Sequence, residues 1–334
     1  MKEYIMGFEL NAMQKKSNGG PEITVRLIED SLPSDLLEDF QIIPSRVGEL
    51  KQDKIRVYHL HDLPEDPEAN HLKDDSSRNR FHKLIFSGQW QYDRYISTLG
   101  IPPNDKCAVI DTPISPIDSF QKSKDEIRLI YTPTPHRGLE LLVPVFEKLC
   151  ETHNNIHLDV FSSFSIYGWD NADEKYKDLF DRCKNHPKIT YHGAQPNNVV
   201  REHLQKAHIF AYPSIWQETS CRSLIEAMSA QLLCIHPNFA GLAYTSGGLT
   251  SMYQFENDVS AHANKFYHIV NNAIDVINQE NTYHYLRFVK AYADNRFSIS
   301  KISGQWEDTL RALRVMYPDD NSRLFAKKMF TYKV

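Results

Sequence analysis

Two glutamates flank a predicted turn from a strand into a helix, and their surroundings could hold a charged ligand. Glu218 precedes the turn and Glu226 lies in the helix, with seven residues between them. Thr219 and Ser220 are preferred capping residues, so unpaired backbone N–H groups should cluster at the helix start. Together with the helix dipole and the Arg222 guanidinium, these donors favour an anion such as a phosphate.

The two carboxylates would repel a phosphate and therefore suit neutral hydroxyl groups on either side of it. Glu226 should lie about 7 Å beyond the first turn of the helix. One carboxylate for a sugar and one for a ribose would fit a nucleoside diphosphate sugar. An ordinary capped helix with two solvated glutamates remains the alternative, because the spacing alone is common.

The segment resembles the donor-binding motif of retaining glycosyltransferases of the GT-B fold, in the large family four. The resemblance implies that Glu218 contacts the transferred sugar and that Glu226 contacts the ribose. The family often has Gly-Phe-Gly after the first glutamate, whereas this chain has Thr-Ser-Cys. The resemblance implies that the diphosphate is held by Thr219, Ser220, Cys221, Arg222 and Ser223, and Leu224 is a further predicted donor-binding residue.

Further donor contacts are predicted at other turns. Arg137 directly precedes Gly138 at a helix start, where a guanidinium can bind a diphosphate through two hydrogen bonds. A surface cation is the alternative for this arginine. The resemblance adds Gly20, in a Gly-Gly loop that would close over the phosphates but could also be an ordinary flexible loop. It also assigns the base to a loop of Gly193, Ala194 and Gln195.

His61 follows a predicted strand over residues 55–60, at the strand end where open α/β sheets bind ligands. The resemblance implies that His61 faces the sugar and the acceptor, while a simple strand cap is the alternative. His59 and His61 could also hold a metal, but a third ligand at suitable spacing is missing. No D-x-D motif occurs, so we expect neither a metal site nor a cofactor besides the donor.

From Ile127 onward, apolar strands alternate with amphipathic helices, which predicts a doubly wound parallel sheet. The resemblance extends this to an α/β fold of the GT-B type, with two Rossmann-like domains facing each other across a cleft. We predict an acceptor-side domain over 1–120 and a donor-side domain over 121–305. A helix and tail over 306–334 should pack back towards the first domain.

Composition excludes several classes of protein. The chain has 334 residues, 41% of them hydrophobic, and a net charge of −5, which gives no reason to expect a nucleic-acid partner. Its five cysteines are scattered and should be reduced. No apolar run is long enough to span a membrane, and the start lacks a signal peptide, so we expect a cytoplasmic protein without stable membrane insertion.

The expected activity is retaining transfer of a hexose-type sugar from a UDP- or GDP-sugar, such as UDP-glucose or GDP-mannose. A glycan or another hydroxyl compound would be the acceptor, and Glu218, His61 and Arg137 would be catalytic. A nucleotide-sugar epimerase or phosphorylase of the same fold, and a non-catalytic nucleotide-sugar binding protein, remain alternatives. The absence of G-x-G and Walker A motifs argues against nicotinamide and P-loop enzymes.

Overall fold

The structure is a computed structural model that describes Phe8 and residues 17–318. Residues 1–16, apart from Phe8, lie outside the described residues, as does the predicted helix and tail over 306–334 from residue 319 onward. The described part divides into two units. Unit one comprises Phe8, Gly20–Pro113 and residues 297–318, and unit two comprises residues 17–19 and Ile114–Arg296.

The secondary structure alternates between short strands and helices, as the apolar pattern predicts. The strands are β1 (Phe40–Pro44), β2 (Ile55–Leu60), β3 (Lys83–Phe86), β4 (Cys107–Val109), β5 (Ile127–Tyr131), β6 (Ile156–Val160), β7 (Ile189–Tyr191), β8 (Ile209–Ala211), β9 (Leu233–Pro237) and β10 (Ser251–Tyr253). The helices are α1 (Gly20–Glu29), α2 (Ser34–Leu37), α3 (Asp75–Arg78), α4 (Gln89–Leu99), α5 (Leu139–Leu149), α6 (Lys177–Asn185), α7 (Asn197–Lys206), α8 (Arg222–Ser229), α9 (Gly241–Ser246), α10 (Val259–Val276), α11 (Glu280–Phe297) and α12 (Ile299–Met316).

Unit one contains a parallel sheet in the order β1-β2-β3-β4. Its central strand β2 is buried along its whole length, as expected for a parallel sheet covered on both faces. The last helix, α12, buries Trp306 and Leu310 in the same apolar cluster as Val25, Ile28 and Phe40. This packing places α12 in unit one.

Unit two contains a six-stranded parallel sheet in the order β10-β9-β8-β5-β6-β7. From β5 the chain runs outward through β6 to β7, and then returns to β8 on the other side of β5. The direction of winding therefore reverses between β5 and β8. In open α/β sheets this switch point is where the loops separate and leave a crevice for a ligand.

The division of the chain into units differs from the predicted one in three places. Unit two begins at Ile114 rather than at 121, because Ile114 and Ile117 are buried and the Ile117 N–H donates to Ser229 Oγ over 2.9 Å. The return to unit one comes at Phe297 rather than at 306, since α12 already packs on unit one from its first turns. Residues 17–19 also belong to unit two.

Two details of unit two go beyond the predicted alternation of strands and helices. The glycine-rich stretch after Pro237 contains α9 and the edge strand β10. Helix α8 begins at Arg222, after the predicted caps Thr219 and Ser220, with Cys221 at the capping position. Among the helices of residues 17–318, none is both long enough and apolar enough to cross a membrane.

Candidate functional site

A buried ion pair lies at the switch point of unit two. Arg137, in the loop after β5, donates from Nη1 to Glu218 Oε1 over 2.8 Å. The Tyr212 hydroxyl donates to the same oxygen over 2.6 Å, and only 7% of Glu218 is exposed. Burial alone would lower the pKa of Arg137, but the Glu218 carboxylate outweighs it and holds that pKa well above its usual value. The site therefore contains a guanidinium that stays charged and is hydrogen-bonded to a buried carboxyl group.

Two glycines allow the loops around this pair to approach closely. Gly138 has φ 128°, and a Cβ there would lie 2.2 Å from the Pro213 carbonyl oxygen. Gly241 donates its N–H to the Glu218 carbonyl over 2.9 Å, and its Cβ would lie 2.5 Å from that oxygen. Because neither position has room for a side chain, the loops after β5, β8 and β9 converge on Glu218.

Buried polar atoms near the strand ends lack partners among the described residues. They are Thr134 Oγ1 and Arg137 Nε in the loop after β5, and Ser162 Oγ in the loop after β6. Thr134 and Ser162 are 3% and 2% exposed. An unsatisfied buried polar group costs about 1–3 kcal/mol, so such groups call for an explanation. A polar ligand that binds at this edge of the sheet would satisfy them.

The second glutamate, Glu226, lies in a separate cluster of donors on α8 and α7. It is 4% exposed, and its Oε1 accepts from Arg222 Nη2 over 3.2 Å and from Arg201 Nη1 over 3.4 Å. Asn197 Nδ2 lies 3.3 Å from Oε2. The Arg222 charge, which the sequence assigned to a phosphate, is therefore shared with a carboxylate one helical turn away.

Asn197 and Arg201 were not predicted from the sequence. They are separated from Glu226 by 29 and 25 positions and reach it because α7 packs beside α8. Their spacing of four residues on one predicted helix was the available signal, since it places both side chains on the same face. The spacing does not reveal which other helix or strand packs against that face.

The turn before α8 holds the other residues that the resemblance implied. The Cys221 side chain makes no capping hydrogen bond, so it does not cap the first N–H groups of the helix. Burial raises the pKa of the Cys221 thiol well above its usual value, which fits a neutral filler. Leu224 is fully buried, so only its backbone could meet a ligand. Thr219, Ser220 and Ser223 are partly exposed.

The predicted base loop follows β7 in unit two. Gly193 has φ 65°, which favours glycine, and Gln195 donates its side-chain amide to the His192 carbonyl over 2.9 Å. Ala194 is partly buried beside them. Because β7 lies two strands from β5 in the sheet, the loop is separate from the Arg137–Glu218 pair but leaves the same edge.

Two predicted site residues, His61 and Gly20, belong to unit one. Gly20 is the first residue of α1. His61 follows β2, with Nδ1 3.3 Å from Ser87 Oγ and its ring centroid 4.0 Å from that of His59. Burial lowers the pKa of His61 to about 3, so its imidazole is neutral at physiological pH.

A group that could hold a metal occurs elsewhere in unit two, although the sequence predicted none. Asp159, His192 and His203 bring their ligand atoms within 4.8 Å of one another. However, Asp159 already accepts from Arg128 over 3.2 Å and bonds His192 over 2.8 Å. Burial by itself would raise the pKa of Asp159, but these two partners lower it. The cluster is therefore an ion-pair network that ties α7 to the sheet.

The two parallel α/β units have the architecture of the GT-B fold of glycosyltransferases, which confirms the predicted fold class. Residues 118–265, all in unit two, match the sequence model of the family described as glycosyl transferases group 1. No curated protein sequence is significantly similar to the chain.

Three solved structures share the fold. Anabaena HepE in complex with UDP and glucose has a TM-score of 0.60 at 14% identity, over 87% of this chain and 81% of that one. A glycosyltransferase from Rickettsia africae has a TM-score of 0.63 at 14% identity, over 91% and 84%. The pneumococcal O-GlcNAc transferase GtfA, in complex with UDP and GlcNAc, has a TM-score of 0.62 at 12% identity, over 87% and 60%.

Proposed function

We propose that this chain is a retaining glycosyltransferase of family four that transfers a hexose-type sugar from a UDP- or GDP-sugar to a glycan or another hydroxyl acceptor. The observation that carries the proposal is the buried Arg137–Glu218 pair at the switch point, beside polar atoms without partners. The solved complexes of HepE and GtfA with UDP support a uridine donor.

Arg137 is assigned to the leaving diphosphate. Its Nε is buried without a partner among the described residues, while Nη1 is bonded to Glu218. A guanidinium can therefore donate to a phosphate oxygen from one side and hold the carboxylate from the other. A charge positioned in advance stabilises the departing diphosphate without reorganisation in the transition state.

Glu218 is assigned to the sugar. The bonds from Arg137 and Tyr212 both end on Oε1, so Oε2 is the oxygen that we assign to a sugar hydroxyl. Its negative charge also stabilises the positive charge that develops on the anomeric carbon. Both oxygens of Glu226 already have donors, so the assignment there is less direct: we assign the ribose hydroxyl to Oε2, which has Asn197 as its amide donor, because Oε1 accepts from two arginines.

The transfer step breaks the bond between the anomeric carbon and the diphosphate oxygen, and the electron pair stays on the phosphate. The acceptor oxygen forms its bond to the anomeric carbon on the face that the diphosphate leaves, so the anomeric configuration is retained. The acceptor proton passes to the departing phosphate oxygen. His61, neutral because its pKa is about 3, is assigned to hydrogen bonding with the sugar or acceptor rather than to charge stabilisation.

The test compares Arg137→Ala and Glu218→Gln with Arg182→Ala, an arginine on α6 that is 47% exposed and paired with Glu147. Donor affinity is measured by calorimetry with UDP- and GDP-sugars, and transfer is measured with a panel of sugar acceptors. Loss of a preorganised charge-stabilising group costs about 10²–10³ in rate. We therefore expect such losses for the two site variants and parent activity for Arg182→Ala.

Folded site variants that transfer sugar at the parent rate would overturn the assignment. Product NMR decides the stereochemistry, since an inverted anomer contradicts the retaining mechanism. Incubation with donor alone tests the epimerase alternative, which would produce an epimerised sugar without an acceptor. A non-catalytic binding protein would bind the donor and yield no product. Its Glu218→Ala form would keep the biological activity of the parent.

A further inference from the structure

Aromatic side chains form a continuous cluster in unit two to which the proposed donor contacts assign no role. We call it the aromatic platform, and it consists of His136, Phe164, Tyr167, Trp169 and Trp216. The His136 ring stacks on Phe164 at 5.1 Å and meets Trp216 edge-on at 4.6 Å. Trp169 lies 6.5 Å from Phe164 and 5.1 Å from Tyr167. Two loops, after β5 and β8, and the segment after β6 therefore contribute to one surface.

The platform is unusually exposed for aromatic residues. The short 3₁₀ turns that follow β6, Phe164–Tyr167 and Asp170–Tyr176, contain no buried residue. Trp169 is 48% exposed and Trp216 is 40% exposed. Large apolar side chains are normally buried in soluble proteins, and adjacent exposed ones mark binding surfaces.

Polar contacts, rather than burial, hold this segment in place. The Asp173 carboxylate accepts from the Phe164 N–H over 2.8 Å and from Ser163 Oγ over 2.5 Å. Ser163 Oγ in turn accepts from the Ser165 N–H over 2.9 Å. The backbone is therefore fixed while the Trp169 and Trp216 side chains remain partly exposed, which lowers the entropy lost when a ligand binds.

The platform is continuous with the Arg137–Glu218 pair. Trp216 lies two residues before Glu218, and the Arg137 guanidinium lies 5.6 Å from the centre of its ring. His136 directly precedes Arg137 in the chain. A ligand on the platform would therefore extend from the place where the transferred sugar is assigned.

We propose that the aromatic platform, although it lies in the domain predicted to be the donor side, binds a pyranose ring of the acceptor glycan, an inference that rests on the proposed function. A pyranose has an apolar face of C–H groups and a rim of hydroxyls, and the negative face of an aromatic ring attracts polarised C–H groups. The exposed rings of Trp169 and Trp216 supply such faces. The nucleobase is assigned to the separate loop after β7, so the platform is left to the acceptor.

The charge of the platform fits a neutral sugar. Burial and the adjacent Arg137 lower the pKa of His136 to about 4, so its ring is neutral at physiological pH. The Arg137 charge is balanced by Glu218. Because Arg137 is assigned to the donor diphosphate and His136 is neutral, the side chains of the platform itself carry no positive charge for a phosphorylated or strongly acidic acceptor.

The test uses Trp169→Ala and, as a matched control, Tyr285→Ala on α11, an aromatic residue outside the platform that is also 48% exposed. Methyl pyranosides of glucose, galactose, mannose and N-acetylglucosamine are the probes, and saturation-transfer NMR without donor detects their binding. Transfer kinetics with the best pyranoside and hydrolysis of the UDP-sugar without acceptor are measured in parallel.

We expect Trp169→Ala to lose the saturation-transfer signal and to raise the acceptor KM at least tenfold. Donor affinity and donor hydrolysis should stay at the parent values, and Trp169→Phe should restore most of the acceptor binding. Tyr285→Ala should behave as the parent. A change confined to acceptor KM identifies binding, because a general structural defect would also affect donor hydrolysis.

Three outcomes would overturn the inference. They are pyranoside signals that do not depend on Trp169, an unchanged acceptor KM in Trp169→Ala, and a loss of UDP affinity in Trp169→Ala with normal acceptor KM. The last would assign the platform to the nucleobase. Failure of the proposed function is distinguishable, because the parent would then bind no UDP- or GDP-sugar while Trp169-dependent pyranoside binding could still be present.

Discussion

The Arg137 guanidinium donates a 2.8 Å hydrogen bond to the Glu218 carboxylate, although 81 positions separate the two residues. The pairing follows from strand order, because Arg137 comes after β5 and Glu218 after β8, and these strands are neighbours. Removing one partner of a buried pair leaves an uncompensated charge, at a cost of about 3–5 kcal/mol. The pair therefore contributes both to the fold of the loops and to the proposed chemistry.

Tyr212 should act on the reaction through Glu218. Its hydroxyl is buried and donates to the Glu218 carboxylate over 2.6 Å. Tyr212→Phe leaves that carboxylate with one donor fewer. If the lost hydrogen bond raises the activation free energy by about 1.4 kcal/mol, the rate falls tenfold. We therefore expect kcat to fall about tenfold with little change in donor KM. Steady-state kinetics with the donor varied provide the measurement.

Tyr131→Phe is the matched control for Tyr212→Phe. Tyr131 is equally buried, and its hydroxyl donates to the Thr134 carbonyl over 3.0 Å rather than to the carboxylate. Both variants should lose about 1–3 kcal/mol of unfolding free energy. Only Tyr212→Phe should lower kcat strongly, and equal effects of the two variants on kcat would contradict the positioning role.

Arg222 should stabilise the buried Glu226 carboxylate more than it contributes to binding of the donor phosphates. Its guanidinium lies 3.2 Å from the Glu226 carboxylate, and burial lowers its pKa. We expect Arg222→Met and Glu226→Gln to be non-additive in urea unfolding, with a coupling of about 1 kcal/mol or more. UDP affinity should fall much less in Arg222→Met than in Arg137→Met. Equal losses of UDP affinity would instead favour the phosphate role that the sequence predicted.

Gly138 should tolerate no side chain. Its φ of 128° is unfavourable for other residues, and a Cβ would lie 2.2 Å from a backbone oxygen that cannot move away freely. We expect Gly138→Ala to cost at least about 2 kcal/mol in thermal unfolding and to reduce activity, because it displaces Arg137. Gly304→Ala on α12 has open space around it and should instead stabilise by about 0.5–1 kcal/mol. A Gly138→Ala variant with the stability and activity of the parent would contradict the close approach of these loops.

His236 should make stability depend on pH. It is fully buried, with Nδ1 2.9 Å from the Pro237 carbonyl oxygen and Nε2 2.8 Å from Thr250 Oγ1. Burial lowers its pKa from 6.5 to about 4. Between these values the unfolded chain binds a proton that the folded chain does not, so the unfolding free energy falls as the pH falls.

The contribution of His236 should be constant above pH 6.5 and lost progressively down to about pH 4. At 1.36 kcal/mol per pKa unit, it amounts to about 3 kcal/mol at most. Urea unfolding of the parent and of His236→Gln across this pH range separates the His236 contribution to the unfolding free energy from that of other buried histidines. The curve for His236→Gln should be flatter, and parallel curves would mean that His236 does not titrate as described.

Local patterns in the sequence were sufficient to predict the doubly wound sheet of unit two and the position of the main loop. The alternation after Ile127 matches the observed strands of unit two because apolar residues and turn residues report burial and chain reversal locally. The small residues between Glu218 and α8 likewise indicated a turn where a ligand could approach. The predictions of a retaining mechanism, and of family four, remain predictions.

Tertiary structure decided which side chains meet. Strand order placed Arg137 beside Glu218, helix packing brought Asn197 and Arg201 to Glu226, and apolar packing assigned α12 to unit one from Ile299 onward. The aromatic platform also depends on loops from three strands. Sequence periodicity describes how each element is buried, whereas contacts between elements depend on the order in which they pack. That order is a property of the whole fold.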